Sequence, residues 1–452
     1  MNTELWNSIL QFDFDNPPSE YGFSIRLANE NYWTKSFTEQ AITEYKKFMY
    51  LAATSDFMVS PSEIVDVVWH QHLIFTQSYE DFCVILGKRI QHIPSTHSKA
   101  EFEKFKQAKE RTKKLYAENF GEQPNNIWNY SDMYESLHLP KAKFKIRTFI
   151  ICGILAFVSL IVPAYFLLKP VYVTIDNPYF ITGFFILIVL TFSALEIFNR
   201  IRLKQITNQF AKDSFVYNLQ PYELVYLKTQ KLTDVINGTI NELIVNGAII
   251  INSDNTFEMS GTGTAKTIEQ LQVMNVLHDS GKINYQTFLK QLITKPVFRN
   301  IANSMNAFKK YFNKSKKFGS LFYTNFWILA ILLMLGLIRL TTGILRDKPV
   351  IQISAAIIAL MILIIIYLNR LTNLVCTFTI PVLYKRKILP DKQTEEDWQW
   401  SYFLLGTSVL AASFIPVLKY RDNSDNYSSG VSSCGSSCGS SCSSCGGCGG
   451  GD

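Results

Sequence analysis

Cysteine is scarce through most of this 452-residue chain. Of its eight cysteines, only Cys83, Cys152 and Cys376 precede residue 430, and they are widely separated. Small secreted folds that depend on disulfides carry closely and regularly spaced cysteines instead. The distribution therefore argues against a disulfide-stapled extracellular fold.

The amino terminus lacks a basic segment followed by an apolar core, which is the pattern of a secretory signal peptide. We therefore expect the first domain to remain in the cytoplasm. Signs of catalysis are also missing: no serine, histidine and aspartate arrangement is visible, and GTGTAK at residues 261–266 lacks the spacing and ending of a P-loop. The sequence gives no positive sign of an enzyme.

Charge is nearly absent from four stretches that are long enough to cross a membrane, which takes roughly 20 apolar residues. They form two close pairs, at 148–168 and 179–198 and at 318–338 and 349–369. Four buried helices of a soluble protein are the alternative, but such helices usually carry some charge. A fifth stretch, 398–418, is uncharged but richer in polar residues. It is interpreted as an amphipathic or interfacial helix, and a fifth span is left open.

Lysine and arginine cluster at the outer ends of these pairs, within residues 141–147, 200–204, 309–317 and 370–387. Because positive residues near spans favour the cytoplasmic side, the soluble parts are predicted to be cytoplasmic. The expected location is a bacterial inner membrane with several crossings. The expected partners are the lipid bilayer and cytoplasmic proteins.

The predicted fold is a mostly α membrane protein with a small α+β domain. Residues 38–53, 61–86 and 99–120 have helical patterns, with Ser36 and Ser60 as candidate caps and Pro61 in a first turn. The predicted layout is a helical soluble domain at 1–140, a transmembrane hairpin at 148–198, a winged-helix-like domain at 205–305, a second hairpin at 318–369, an interfacial segment at 370–421 and a disordered tail at 422–452.

The middle domain follows a winged-helix order. Helical patterns at 222–229 and 232–246 precede Gly247, and strand patterns at 248–252 and 256–259 follow it. The second helix contains no lysine or arginine that could contact phosphates. A protein-interaction role is therefore favoured, and no nucleic-acid partner is expected.

Four of the six histidines lie between residues 70 and 97. His70 and His72 are two residues apart, so a regular helix points them about 200° apart and they cannot share one ion. Asp66 and His70 form an i, i+4 pair on another face than His72.

A soft metal site could combine His72 with Cys83, which shares its helical face, and with His92 or His97 after a turn. Zinc or copper would be the ion. The alternative is an aromatic-rich core in which a histidine is hydrogen-bonded and Cys83 acts as a small apolar residue.

Two resemblances accompany these patterns. Asp66, Trp69, His70 and His72, followed by Tyr79, Cys83 and Gly87, resemble the D-x-x-W-H-x-H stretch of the glycine-rich domain-containing protein-like family. That resemblance implies no settled activity. The order Tyr-x-Leu-x-Tyr-Leu at 222–227 and Val-Asn-Gly at 245–247, between two hairpins, resembles an uncharacterised bacterial membrane-protein family with Gly/Cys-rich tails.

From residue 422 the chain is low in complexity and rich in serine, glycine and cysteine, so it is predicted to be disordered. Dense thiolates there could hold zinc or copper. Free or variably oxidised cysteines, or lipidation, are the alternatives. The five tail cysteines are Cys434, Cys438, Cys442, Cys445 and Cys448.

Taken together, the sequence predicts a membrane-anchored interaction or scaffold protein, and an enzyme is not favoured. The alternative is a metal-binding protein or metal-dependent enzyme that uses the His/Cys region or the tail. Transport is disfavoured because the apolar stretches lack the internal charges that mark pathways.

Overall fold

The computed structural model describes residues 1–93, 99–390 and 398–419. These residues are mostly helical, with one small antiparallel sheet in the order β1-β2-β3. The strands are β1 (Ile249–Ile251), β2 (Thr256–Met259) and β3 (Ile283–Asn284). The helices are α1 (Thr3–Gln11), α2 (Phe23–Asn31), α3 (Lys35–Thr54), α4 (Glu63–Ile74), α5 (Thr76–Leu86), α6 (Lys99–Phe120), α7 (Asn125–Trp128), α8 (Ile146–Thr174), α9 (Asn177–Thr207), α10 (Pro221–Thr229), α11 (Leu232–Val245), α12 (Ile268–Ser280), α13 (Tyr285–Thr294), α14 (Pro296–Asn313), α15 (Lys316–Ile344), α16 (Ile351–Leu374), α17 (Ile380–Leu383) and α18 (Trp398–Leu405).

The caps of α3 and α4 each lie two residues from the predicted ones. Thr34, not Ser36, caps α3, and the Ser62 side chain, not that of Ser60, accepts from the Val65 amide at the start of α4. The helix predicted at 61–86 is broken at Phe75, whose φ of −89° and ψ of 67° are not helical. This break lets the Phe75 ring contact an aromatic ring of α2 instead of continuing the helix.

Four helical segments are long and apolar enough to cross a membrane: Ile146–Thr174, Asn177–Thr207, Lys316–Ile344 and Ile351–Ile388. They contain the first three stretches predicted from the sequence, and the fourth begins two residues after the predicted 349. Helix α15 packs against α8, α9 and α16. The last segment continues past residue 369 through π-helical turns at Val375–Thr379 and Tyr384–Ile388. Pro381 lies between these turns. A proline inside a helix has no N–H to donate, and the wider π-helical turns accommodate this missing hydrogen bond.

Polar contacts join the membrane-length helices at two positions along the bundle. Asn199 and Asn325 exchange hydrogen bonds of 2.8 and 2.7 Å, and Asn199 Nδ2 also donates to the Tyr367 hydroxyl at 2.9 Å. Near the other end, the Arg339 guanidinium donates to the carbonyls of Tyr172 and Ile175. These bonds satisfy carbonyl groups at the end of α8, where no helical partner remains.

The middle region has the predicted helix, helix and hairpin order. Ile250 is paired with Glu258, and β3 adds a third strand through Phe257 and Ile283. Gly247 adopts a φ of 70° just after α11, as its predicted role in ending the helix requires. Residues 235–241 of α11 are all buried, so this helix lies inside the core rather than on a surface.

Residues 398–418 are not a membrane-length helix. The eight residues of α18 are followed by turns, and the Tyr402 hydroxyl donates to the Asp234 carbonyl at 2.8 Å. Phe414 packs edge-on against Phe257, and the Ala411 amide donates to Asn241 at 2.7 Å. The segment therefore differs from the predicted interfacial helix: its aromatic side chains pack into the middle region.

One hydrophobic core runs through the amino-terminal and middle regions, and a smaller cluster lies among the membrane-length helices. The exact division into domains at 1–140, 205–305 and 370–421 accordingly stays a prediction. The predicted disordered tail, 422–452, lies outside the described residues.

Candidate metal centre

Helix α4 presents Asp66 and His70 on one exposed face, one turn apart. Their side chains meet, with His70 Nε2 3.4 Å from Asp66 Oδ2. The His70 side chain is 60% exposed, so it reaches solvent as well as the carboxylate. The i, i+4 spacing noted in the sequence produces this contact directly.

His92 reaches the same carboxylate from the chain that follows α5. Gly87 ends that helix with a φ of 71°, which reverses the chain toward α4. The Tyr79 hydroxyl donates to the Ile90 carbonyl and accepts from Trp69 Nε1 at 3.3 Å, which fixes the returning segment. His92 Nε2 then lies 2.8 Å from Asp66 Oδ1.

The three side chains form a group whose size fits a metal ion. One ligand atom from each of Asp66, His70 and His92 lies within 4.8 Å of the others. Among the described residues, this is the one His/Cys/Asp/Glu group of three with such spacing. Ligands at about 2.0–2.1 Å from a tetrahedral zinc ion are roughly 3.3 Å apart. Small rotations of the three side chains would therefore bring them to ligating distances.

The group lies on the wall of a surface groove of about 780 Å³. Phe57 and Ile93 give this groove exposed apolar edges, and its lining carries charges of both signs, with Lys88 and Arg89 beside Asp56 and Glu63. With three protein ligands, a bound ion would keep a position open toward the groove, as catalytic zinc sites do.

His72 points to the opposite side of α4 and is fully buried. Its Nδ1 lies 2.9 Å from the Tyr45 hydroxyl and its Nε2 lies 3.2 Å from Ser78 Oγ, so both nitrogens have partners. The rings of Phe14 and Phe82 pack around it. Burial lowers the pKa of His72 from 6.5 to about 4, which keeps the imidazole neutral at physiological pH.

Cys83 is buried beside Tyr79, and burial raises the pKa of that phenol to about 12. The structure does not bring His72, Cys83 and His92 into one ligand group, because the break at Phe75 separates α4 from α5 and His72 is engaged with Tyr45. His92 joins Asp66 and His70 instead. The predicted ligands His97 and the five tail cysteines lie outside the described residues.

Sequence reasoning identified Asp66 and His70 as a helical pair without giving either a ligand role. The signal that could have found the site was the combination of that pair with a histidine shortly after a helix-ending glycine. What the sequence did not show is how far the chain after Gly87 turns back.

Residues 22–121 match the model of a family described as UCP032817-like. The match includes α2 to α6 and all three residues of the candidate centre. This family is uncharacterised. No curated protein and no solved structure matches the chain.

Proposed function

We propose that this chain is a membrane-anchored protein that binds a divalent transition-metal ion through Asp66, His70 and His92. The observation that carries the proposal is the convergence of their ligand atoms within 4.8 Å on the wall of an open groove. Two imidazoles and one carboxylate suit zinc and its neighbours better than magnesium or calcium, which prefer oxygen ligands.

The membrane-length helices support the anchoring part of the proposal. The lysines and arginines at their outer ends favour a cytoplasmic position for the metal site, in a bacterial inner membrane. Within the matched region, Asp66, Trp69, His70 and His72 also resemble the glycine-rich domain-containing protein-like family. That assignment is part of the proposal.

The test is metal analysis on the full-length protein, purified in detergent and reducing buffer. The tail could bind metal by itself, so the parent carries Ser at all five tail cysteine positions, for example Cys434→Ser. The probe is cobalt(II), because its visible spectrum distinguishes nitrogen and oxygen ligands from thiolates. His92→Ala is compared with His278→Ala, a matched change at an exposed histidine of the middle region.

One cobalt ion per chain is expected in the parent and in His278→Ala, with no thiolate charge-transfer band. His92→Ala should lose it. Equal binding by the parent and His92→Ala, or no binding by the parent, would overturn the proposal. If the parent binds no cobalt, the Asp66–His92 contact has a structural role only and holds residues 88–93 against α4.

A second candidate, the predicted interaction or scaffold function, is favoured by the way the soluble regions are locked together. Lys35 Nζ contacts Glu269 at 3.0 Å and the Lys35 amide donates to Glu223 at 3.0 Å, while Lys295 contacts Glu20 at 2.8 Å. Burial raises the pKa of Glu223 to about 7. The two regions thus offer cytoplasmic proteins one continuous surface.

This candidate predicts a defined protein contact at the groove. A photo-cross-linking residue at Phe57, on the groove edge, should give a discrete adduct in cells. The control position is Val245, which is also exposed but lies in the middle region. The same adduct pattern at both positions, or none at Phe57, would contradict a partner docked in the groove.

A further inference from the structure

A second cavity lies where the membrane-length helices meet the soluble regions. We call it the basic groove: a cavity of about 300 Å³ between the last turns of α9 and the helical stretch 378–387. Ile201, Phe378, Val382 and Leu383 provide apolar lining. Its four cations are Arg200, Lys204, Arg386 and Lys387.

These cations are largely uncompensated. Among the residues that the structure describes, no acidic side chain lines the basic groove. Within the described part of the chain, Lys204 and Arg386 form no ion pair, and Lys387 donates only to the neutral side chain of Asn208, at 3.2 Å. Arg200 is the exception, because it contacts Glu196 at 2.8 Å while its guanidinium lies over the Phe378 ring. The groove therefore carries surplus positive charge.

The position of the groove relates this charge to the membrane surface. With 31 residues, α9 is roughly 46 Å long, so it exceeds a hydrocarbon core of about 30 Å and its last turns reach the headgroup level. A neighbouring cavity of about 660 Å³ lies along α9 on the membrane side. Phe192, Ile197 and Tyr367 give it apolar lining, while Glu196 lines it as a carboxylate paired with Arg200 and Arg370. Arg200 lines both cavities, so the cations of the basic groove lie next to apolar side chains that face the membrane.

We propose that the basic groove binds the phosphate headgroup of an anionic phospholipid, with an acyl chain along Phe192 and Ile197. Surplus cations next to the apolar side chains of Phe192 and Ile197 complement a molecule that joins a negative headgroup to a hydrocarbon chain. Basic pockets between helices at the cytoplasmic surface are suited to this chemistry. A free phosphate would use the cations but not the apolar side chains of Phe192 and Ile197.

The test measures lipid retention by the full-length protein, using native mass spectrometry after reconstitution in nanodiscs of phosphatidylglycerol and phosphatidylcholine. The variant Lys204→Gln/Arg386→Gln removes the two unpaired cations. The control Lys143→Gln/Lys145→Gln removes two exposed cations just before α8, at the same end of the bundle but outside the groove. Circular dichroism and elution volume check that each variant remains folded.

The parent and the control should retain phosphatidylglycerol in preference to phosphatidylcholine. Each cation near a membrane surface contributes roughly fivefold, so the groove variant should bind phosphatidylglycerol about 25-fold more weakly. Equal losses in the groove variant and the control would overturn the site. Competition by inorganic phosphate as strong as by phosphatidylglycerol would show a phosphate site and overturn the lipid assignment.

Discussion

His70 and His72 are two residues apart on α4, and the helix turns them to opposite sides of the molecule. His72 is fully buried with a partner at each ring nitrogen, whereas His70 is exposed and shares Asp66 with His92. A metal ion needs a nitrogen lone pair that is free to turn toward it. The comparison teaches that hydrogen-bond satisfaction, more than residue type, separates the structural histidine from the candidate ligand.

The largest expected difference between the two histidines is in the free energy of unfolding. His72→Ala should lower the free energy of unfolding by about 4 kcal/mol, because it opens a cavity among aromatic rings and leaves the Tyr45 hydroxyl without its partner. Denaturant unfolding in detergent, followed by tryptophan fluorescence, measures this. Cobalt affinity of the folded fraction should not change. A loss below about 0.5 kcal/mol, as expected for exposed His278→Ala, would contradict a core role.

The converse change is His70→Ala. It should weaken cobalt binding by about a hundredfold or more, since removing even an outer-shell partner of a metal site costs 10–100-fold. The free energy of unfolding should stay within about 0.5 kcal/mol of the parent, because the side chain is exposed. The measurement is a competition titration in the background without tail cysteines. The distinction between the two histidines fails if this variant unfolds as readily as His72→Ala.

A smaller effect concerns pH. The folded-state pKa of His72 is about 4 and the unfolded value is about 6.5, so the unfolded chain binds the extra proton between these values. The corresponding stability is present above pH 6.5 and is lost as the pH falls toward 4. Between pH 7 and 5 the loss should be about 2 kcal/mol.

The control for this pH effect is His72→Gln, which has no titratable group at the position. Between pH 7 and 5, His72→Gln should therefore lose about 2 kcal/mol less stability than the parent. Parallel curves for the parent and His72→Gln would show that His72 is not the source.

The smallest expected effect is that of Ser78→Ala, which removes one hydrogen bond from His72 Nε2 and leaves Tyr45 in place. Unfolding should become easier by about 1 kcal/mol, the usual contribution of one such bond. Urea unfolding with Thr43→Ala as an exposed hydroxyl control measures it. No difference between these two variants would mean that the Tyr45 contact alone determines the state of His72.

The membrane-length helices could be predicted from the sequence because their signal is local: twenty consecutive apolar residues need no knowledge of tertiary structure. The break at Phe75 could not, because it depends on an aromatic contact with α2 far away in the sequence. In the candidate metal group, Asp66 and His70 are close in sequence, whereas His92 comes from a later segment. Helical spacing could therefore pair only Asp66 and His70.

The position of residues 398–418 also could not be predicted from local sequence. Their composition is intermediate between a span and a soluble segment, so hydropathy alone could not place them. In the structure Tyr402 and Phe414 contact the middle region, and these contacts depend on the folded positions of α11 and β2.

The packing of residues 398–419 against the middle region also has a topological consequence. If each of the four membrane-length segments crosses once, the number of crossings is even, and both ends of the described chain lie on one side. Residues 420–452 contain no apolar stretch that could add a crossing. The tail cysteines then share one compartment, and one redox buffer, with the Asp66–His70–His92 group. Under the proposed metal-binding function, both candidate ligand sets would therefore lie on the same side of the bilayer.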